Sequence, residues 1–212
     1  MKLPNKQTLL GLLPDALALT RGDRSERSAY LTFDDGPNPT FTPPLLDLLA
    51  RYGARASFFL IGDQVERHPD IVERIVAEGH LIGNHSYDHP HFDRLPLGEQ
   101  VAQVERTDRL LARFDGRPRH RFRTPRGVVP LRLLARFARE RRGITYWSYD
   151  SLDYDEHPVD RLAGALERHG LRNGEIVLMH DDSARAAGIL ERLLPQWRDQ
   201  GIALRALPEE AA

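Results

Sequence analysis

Cysteine is absent from the 212-residue chain. Disulfides, thiolate nucleophiles and cysteine-ligated zinc or iron–sulfur centres are thereby excluded, and any bound metal must be held by His, Asp or Glu. No run of about 18 apolar residues occurs, so no membrane-spanning helix is expected. An excess of either charge is lacking: 30 Lys plus Arg stand against 31 Asp plus Glu, a formal net charge of −1. That balance argues against a nucleic-acid partner, because phosphate neutralisation needs a basic excess or a strongly basic face. Lysine is almost missing too, since 28 of the 30 cations are Arg, which leaves room for a local basic patch. The rest is an ordinary globular composition, 41% apolar, at a length that suits one domain.

Residues 1–27 read as an N-terminal extension and linker ahead of a domain over 28–212. Met1, Lys2 and Lys6 make a weak positive n-region, Thr8 to Leu19 is mostly apolar, and Ala16-Leu17-Ala18 resembles a cleavage site. Pro14 and Asp15 interrupt the run and leave its core short for a signal peptide. A short helix covering one end of the domain is the preferred reading. It favours the cytoplasm, with a periplasmic or secreted protein as the alternative. Arg21 to Arg27 is a solvated stretch either way.

From Ser28 onward, short apolar runs alternate with amphipathic segments. Strands are expected at Ala29 to Phe33, Ala56 to Ile61, His80 to Gly83, His120 to Arg123, Ile144 to Tyr149, Glu175 to Met179 and Ile202 to Leu204. Helical stripes lie between them, at Thr42 to Tyr52, Pro69 to Glu78, Leu97 to Phe114, Leu131 to Arg142, Val159 to His169 and Ala186 to Gln200. Alternating βα units imply parallel strands with helical crossovers. Seven units favour an incomplete or distorted barrel over an open doubly wound sheet. Chemistry on such scaffolds sits at the C-terminal strand ends. Those ends carry Asp34 and Asp35, then His85 to His89, then Arg123 to Gly127, then Asp150 and Asp153, then His180 and Asp181.

His85 and His89 have H-x3-H spacing, which on a helix puts both imidazoles on one face, able to reach one ion. Asp34 and Asp35 are the best sources of a third ligand. The turn chemistry of Asp35-Gly36-Pro37 can rotate both carboxylates toward one cavity, one to ligate and one to act as a base. Two His and one carboxylate suit zinc with an open water position, and also the iron of oxygenases. His180 separates the two, because hydrolysis needs an acid at the leaving group. Asp153 could orient His180 and favour its protonated form, and Arg123 could hold Asp34 ionised or pair with Asp153.

These motifs resemble the polysaccharide deacetylases of carbohydrate esterase family 4, the NodB homology domain. Five appear in the family's order: Thr32-Phe-Asp-Asp-Gly-Pro37, His85-Ser-Tyr-Asp-His89, Arg123-Thr-Pro-Arg-Gly127, Asp150-Ser-Leu-Asp-Tyr154 and Ile176-Val-Leu-Met-His-Asp181. The compact chain resembles the small chitooligosaccharide deacetylases. The resemblance implies an α/β fold, a distorted (β/α)7 barrel of parallel strands. It implies a metal-dependent hydrolase removing N-acetyl groups from an amino-sugar glycan, oligosaccharide or glycolipid. Asp34 is then the catalytic base and His180 the general acid, tuned by Arg123 and Asp153. Asp35, His85 and His89 hold a divalent ion, zinc first, with cobalt or another divalent ion as alternatives. Ser86 supports the second motif by hydrogen bonding. Leu178 lines the acetyl pocket, and Pro125, Arg126 and Tyr154 contact the sugar. Arg126 departs from the family's usual aromatic, and its backbone N–H would still serve as the oxyanion donor. Its guanidinium either faces solvent or turns the cleft toward an anionic sugar or glycolipid. An O-acetyl esterase, another C–N hydrolase and an inactive carbohydrate-binding protein are the competing readings. A monomer is favoured.

Overall fold

The computed structural model describes residues 6–210; Met1 and Lys2, which begin the expected n-region, lie outside the described residues. The chain opens with α1 (Lys6–Leu10), β1 (Ala18–Leu19), β2 (Ser28–Asp34), α2 (Thr42–Arg51) and β3 (Ala56–Leu60). Next come α3 (Gly62–Arg67), α4 (Pro69–Ala77), β4 (Leu81–Asn84), α5 (Leu97–Asp115) and α6 (Leu131–Arg139). It closes with β5 (Ile144–Thr145), β6 (Tyr149–Asp150), α7 (Val159–His169), β7 (Glu175–His180), α8 (Arg185–Asp199) and β8 (Ala203–Leu204).

Every residue of β2 and β3 is buried, and all of β7 but its last. These strands read as near-continuous apolar runs because parallel strands are covered on both faces. The helices between them present one apolar stripe each. In α2, Leu45, Leu46, Leu48 and Leu49 face inward behind two prolines in the first turn, where a missing N–H costs nothing. The long α5 stops at Gly116, whose φ of 75° is the left-handed conformation of a helix end.

The strands run parallel in the order β4-β3-β2-β7-β6, with β8 beside the start of β2 and β1 paired to β5. Phe122 bridges Asn84 on one side and Ile144 on the other, carrying the ring from β4 to β5. The chain then passes through residues 146–148 to β6, which lies against β7. The result is a distorted barrel of parallel strands, as expected.

Two local expectations change. His120 to Arg123 is not a strand; it contributes bridges through Phe122 alone. Pro118 and Pro125 bracket the segment and offer no N–H for a longer ladder. The expected strand Ile144 to Tyr149 is split in two because its partner changes. Tyr146 N–H donates to Leu19 O at 2.8 Å, and Ser148 N–H to Ile176 O at 2.9 Å. The segment before residue 28 holds the expected short helix, α1, and the strand β1 as well. Leu10 and Ala18 are buried in a cluster with Phe92, Phe122, Leu133 and Phe137, while most side chains from 21 to 27 are exposed.

The main core lies between the strands and helices α2, α4, α7 and α8. It leaves the C-terminal strand ends free of apolar cover. The register pairs Asp34 of β2 with His180 of β7, so two strand-end groups emerge at the same height.

Candidate active site

At the end of β2 the backbone turns sharply. Asp35 adopts a φ of 77°, which breaks the strand's alternation and brings its carboxylate to the same side as Asp34. The loop after β4 turns twice through left-handed residues, Ser86 at φ 70° and His89 at φ 54°. Ser86 Oγ accepts the His89 N–H at 3.1 Å and closes the turn. His85 and His89 therefore converge across a loop and not along a helical face, so the helical expectation for this pair is corrected. Their rings lie 5.1 Å apart.

Asp35 Oδ1 lies 3.4 Å from Nε2 of both His85 and His89. One donor atom from each of the three residues falls within 4.8 Å of the others, and Asp35 Oδ1 is buried with no hydrogen-bond partner. His85 Nδ1 sits 2.9 Å from Arg123 O; donating there leaves Nε2 as a lone-pair donor toward Asp35. Burial opposes charge on Asp35, yet the adjacent His85, with His89 and His180, holds its carboxyl well below the usual range. Burial, followed by the His85 charge, pushes His89 down to about 4. An ionised carboxylate and a neutral imidazole are the states a cation needs. The donor set fits a divalent ion of the zinc type.

Asp34 is 4% exposed. Its Oδ1 accepts from Arg123 Nη1 at 2.7 Å, and its Oδ2 lies 3.7 Å from His85 Nε2. Arg123 is fully buried. It also donates to Thr32 Oγ1 at 2.9 Å and lies 4.1 Å over the Phe59 ring. The structure thus pairs Arg123 with Asp34 and not with Asp153. Asp153 belongs to His180 instead. Its Oδ1 is 2.9 Å from His180 Nδ1, its Oδ2 accepts the His180 N–H at 2.8 Å, and Ser151 Oγ donates to Oδ1 at 3.0 Å. Burial disfavours charge on His180, but the Asp153 hydrogen bond and charge override it and raise the imidazole to about 9.

Asp34, Asp35, His85, His89 and His180 line one cavity of about 380 Å³, together with Arg126, Gly127, Trp147, Asp150, Tyr154, Leu178 and Asp182. Leu178 is 4% exposed and Tyr154 is 56% exposed, its ring edge-on to His180 at 5.4 Å. Pro125 does not reach the cavity. It is buried inside the Pro125–Gly127 turn, so its expected sugar contact is corrected. Arg126, exposed and at φ 57°, occupies the middle of that turn. The turn's hydrogen bonds are made by the Gly127 and Val128 N–H groups, which leaves the Arg126 N–H available.

Sequence reasoning missed Trp147, Gly127 and Asp182 as cavity walls. Trp147 follows a short strand, and the strand-end rule applied there would have found it. It also missed the support beneath the site. Asn84 donates to Asp108 Oδ1 at 2.7 Å, its own Oδ1 accepts the Ser86 N–H at 2.9 Å, and its carbonyl accepts the Arg123 N–H at 3.0 Å. Arg142 Nη1 closes on Asp108 Oδ2 at 2.6 Å. One asparagine therefore ties together the two loops that carry His85 and Arg123.

The polysaccharide deacetylase family model matches residues 21–147. A chitooligosaccharide deacetylase of Sinorhizobium fredii is 34% identical over 198 residues, 86% of this chain and 91% of the relative. A peptidoglycan-N-acetylglucosamine deacetylase of Bacillus cereus is 31% identical over 191 residues, 88% of this chain and 69% of the relative. Among solved structures, the Bc1960 peptidoglycan N-acetylglucosamine deacetylase superposes with a TM-score of 0.84 at 31% identity, covering 91% of each chain.

Proposed function

The chain belongs to the polysaccharide deacetylase family, a family of hydrolases, and from that premise we propose that it removes N-acetyl groups from an N-acetylglucosamine-containing glycan or oligosaccharide with the help of a divalent metal. One observation supports this reading above the others. Asp34 and His180 stand in register on adjacent strands beside the Asp35–His85–His89 cluster, each tied to its own partner.

Asp35, His85 and His89 would hold the ion, which would supply Lewis-acid polarisation of the acyl carbonyl and a lower pKa for the attacking water. Asp34 takes the water proton at Oδ2, because Oδ1 is occupied by Arg123. Arg123 fixes the carboxylate and remains charged throughout. The free N–H of Arg126 is the donor for the oxyanion that forms on the carbonyl oxygen. His180 donates its Nε2 proton to the departing amine while Nδ1–H stays on Asp153. The C–N bond breaks, acetate leaves, and one water has been consumed per amine released.

The test is acetate release from N-acetylglucosamine oligomers by metal-stripped protein, before and after zinc is restored. Zinc-dependent release is expected. Asp34→Asn should lower it by roughly 10²–10⁴-fold while still binding one equivalent of metal. Release that survives both chelation and Asp34→Asn would refute the mechanism. No release together with no metal binding would refute the site.

A further inference from the structure

The deacetylase reading leaves one feature of the cavity unused. Arg126 is exposed, lines the cavity, and makes no hydrogen bond or ion pair to a side chain among the described residues. Its left-handed backbone, at φ 57°, is a conformation that non-glycine residues adopt at a cost and that clusters at functional sites. A second cation stands beside it. Lys6, one of only two lysines in the chain, donates from Nζ to the carbonyl of Gly127 at 3.0 Å. Gln7 Nε2 bonds the Trp147 carbonyl at 2.8 Å, so α1 is pinned against this wall of the cavity at two points.

The acids that line the cavity outside the metal cluster and Asp34 are Asp150 and Asp182, on the β6–β7 side. Asp150 accepts the Tyr154 hydroxyl at 3.2 Å. Arg126, and Lys6 behind it on the Gly127 carbonyl, therefore carry positive charge that no carboxylate pairs with among the described residues. A cleft focuses such a field on whatever enters it, and a guanidinium fork matches the two oxygens of a carboxylate or phosphate.

We infer that the glycan carries an anionic oxygen group, carboxylate or phosphate, beside the reacting acetamido sugar, and that Arg126 with Lys6 receives it. This rests on the deacetylase reading and deepens it. Arg126 has two functions on this account: its backbone N–H serves the reaction and its side chain selects the substrate.

The experiment uses the zinc-loaded full chain on chitotetraose and on its 6-O-carboxymethyl and 6-phosphate derivatives, at low and high salt. The wild type should favour at least one derivative by about tenfold in kcat/KM, chiefly through KM, with the preference reduced by salt. The derivative favoured distinguishes carboxylate from phosphate. The preference should fall in Arg126→Gln and in Lys6→Gln, approach unity in the double variant, and return in part with Arg126→Lys. Melting temperature controls for folding. A wild type that treats the three oligomers alike, or a preference that all variants retain, overturns the inference and leaves the deacetylase reading standing. No acetate from any oligomer with zinc bound overturns both.

Discussion

Replacing Asp153 with Asn separates the charge that acts on His180 from the packing that surrounds it. In the wild type, Asp153 raises the His180 imidazole to about 9 against an ordinary 6.5. That difference of about 2.5 units corresponds to about 3 kcal/mol between the protonated and neutral forms. The amide keeps the shape of the carboxylate but loses its charge, and its single oxygen cannot accept both the Nδ1–H and the backbone N–H that Asp153 accepts now. Burial is then opposed only by the charges of Asp34 and Asp35, so the His180 pKa in the variant should fall back toward the ordinary 6.5. At pH 8 the protonated fraction drops from about 90% to about 3%, a loss of roughly 30-fold in available acid. At pH 5.5 the fraction barely changes. The assay is the pH profile of kcat/KM, which reports the free enzyme. Its basic limb should move down by at least about 2 units in Asp153→Asn. Stability supplies an independent reading. A raised imidazole stabilises the fold fully below about 6.5, and that contribution disappears as pH rises through about 9. The variant's deficit in melting temperature should therefore be largest at acid pH and vanish above pH 9. A basic limb that coincides with the wild type would refute the assignment of His180 as an acid poised by Asp153.

Arg123→Met should cost about 3–5 kcal/mol, because it strands Asp34 in a buried site without its counter-ion. At about 2–4 °C per kcal/mol for a chain of this size, a melting temperature within 3 °C of wild type would contradict this. Stripping the divalent ion should lower thermal stability by about 4 kcal/mol relative to protein held at a thousandfold excess over Kd; calorimetry with and without chelator measures it, and an unchanged melt would count against a bound ion at Asp35. His80 is buried against Phe58 with Nδ1 accepting the Ala56 N–H at 3.0 Å, and burial pushes it down to about 4. Because this pKa is depressed, the unfolded chain binds the extra proton first. About 3 kcal/mol of stability should be lost as pH falls from 6.5 to 4, and His80→Gln should flatten that slope in urea titrations.

The strands were legible where burial on both faces turns them into unbroken apolar runs, as in Tyr30-Leu31 or Ile176-Val177-Leu178-Met179. The helices were legible where one stripe ends at a glycine, as α5 does at Gly116. The carboxylates and imidazoles at strand ends were legible because polar groups directly after a buried run need a reason to be there. Three features were not. The geometry of His85 and His89 depends on two left-handed residues, Ser86 and His89, and four-residue spacing alone suggests a helix instead. The partner change at Trp147 is decided by β1, a two-residue strand too short to leave a periodicity. The Asn84–Asp108–Arg142 support joins residues 24 and 34 positions apart, and no local pattern encodes such a contact.

The charges of the site explain why its two ion pairs belong together. Asp34, Asp35 and Asp153 are three of the carboxylates at the strand ends. Arg123 answers Asp34 and protonated His180 answers Asp153. Asp35 faces two imidazoles, and its Oδ1 has no hydrogen bond, which suits it to a cation shared with them. On the proposed mechanism Asp34 gains a proton during turnover and His180 loses one. Each change weakens an ion pair: a neutral Asp34 no longer attracts Arg123, and a neutral His180 no longer attracts Asp153. Both pairs therefore drive the site back to its starting protonation once product has left. A base that held its proton or an acid that failed to regain one would stall the cycle after a single event. It follows that Arg123 and Asp153 act on the same step from opposite sides of the cavity. Removing both should cost less in kcat than the product of the two separate losses, because either removal alone already leaves the reset without one of its two restoring forces. A double variant whose losses multiply in full would show that the pairs act independently.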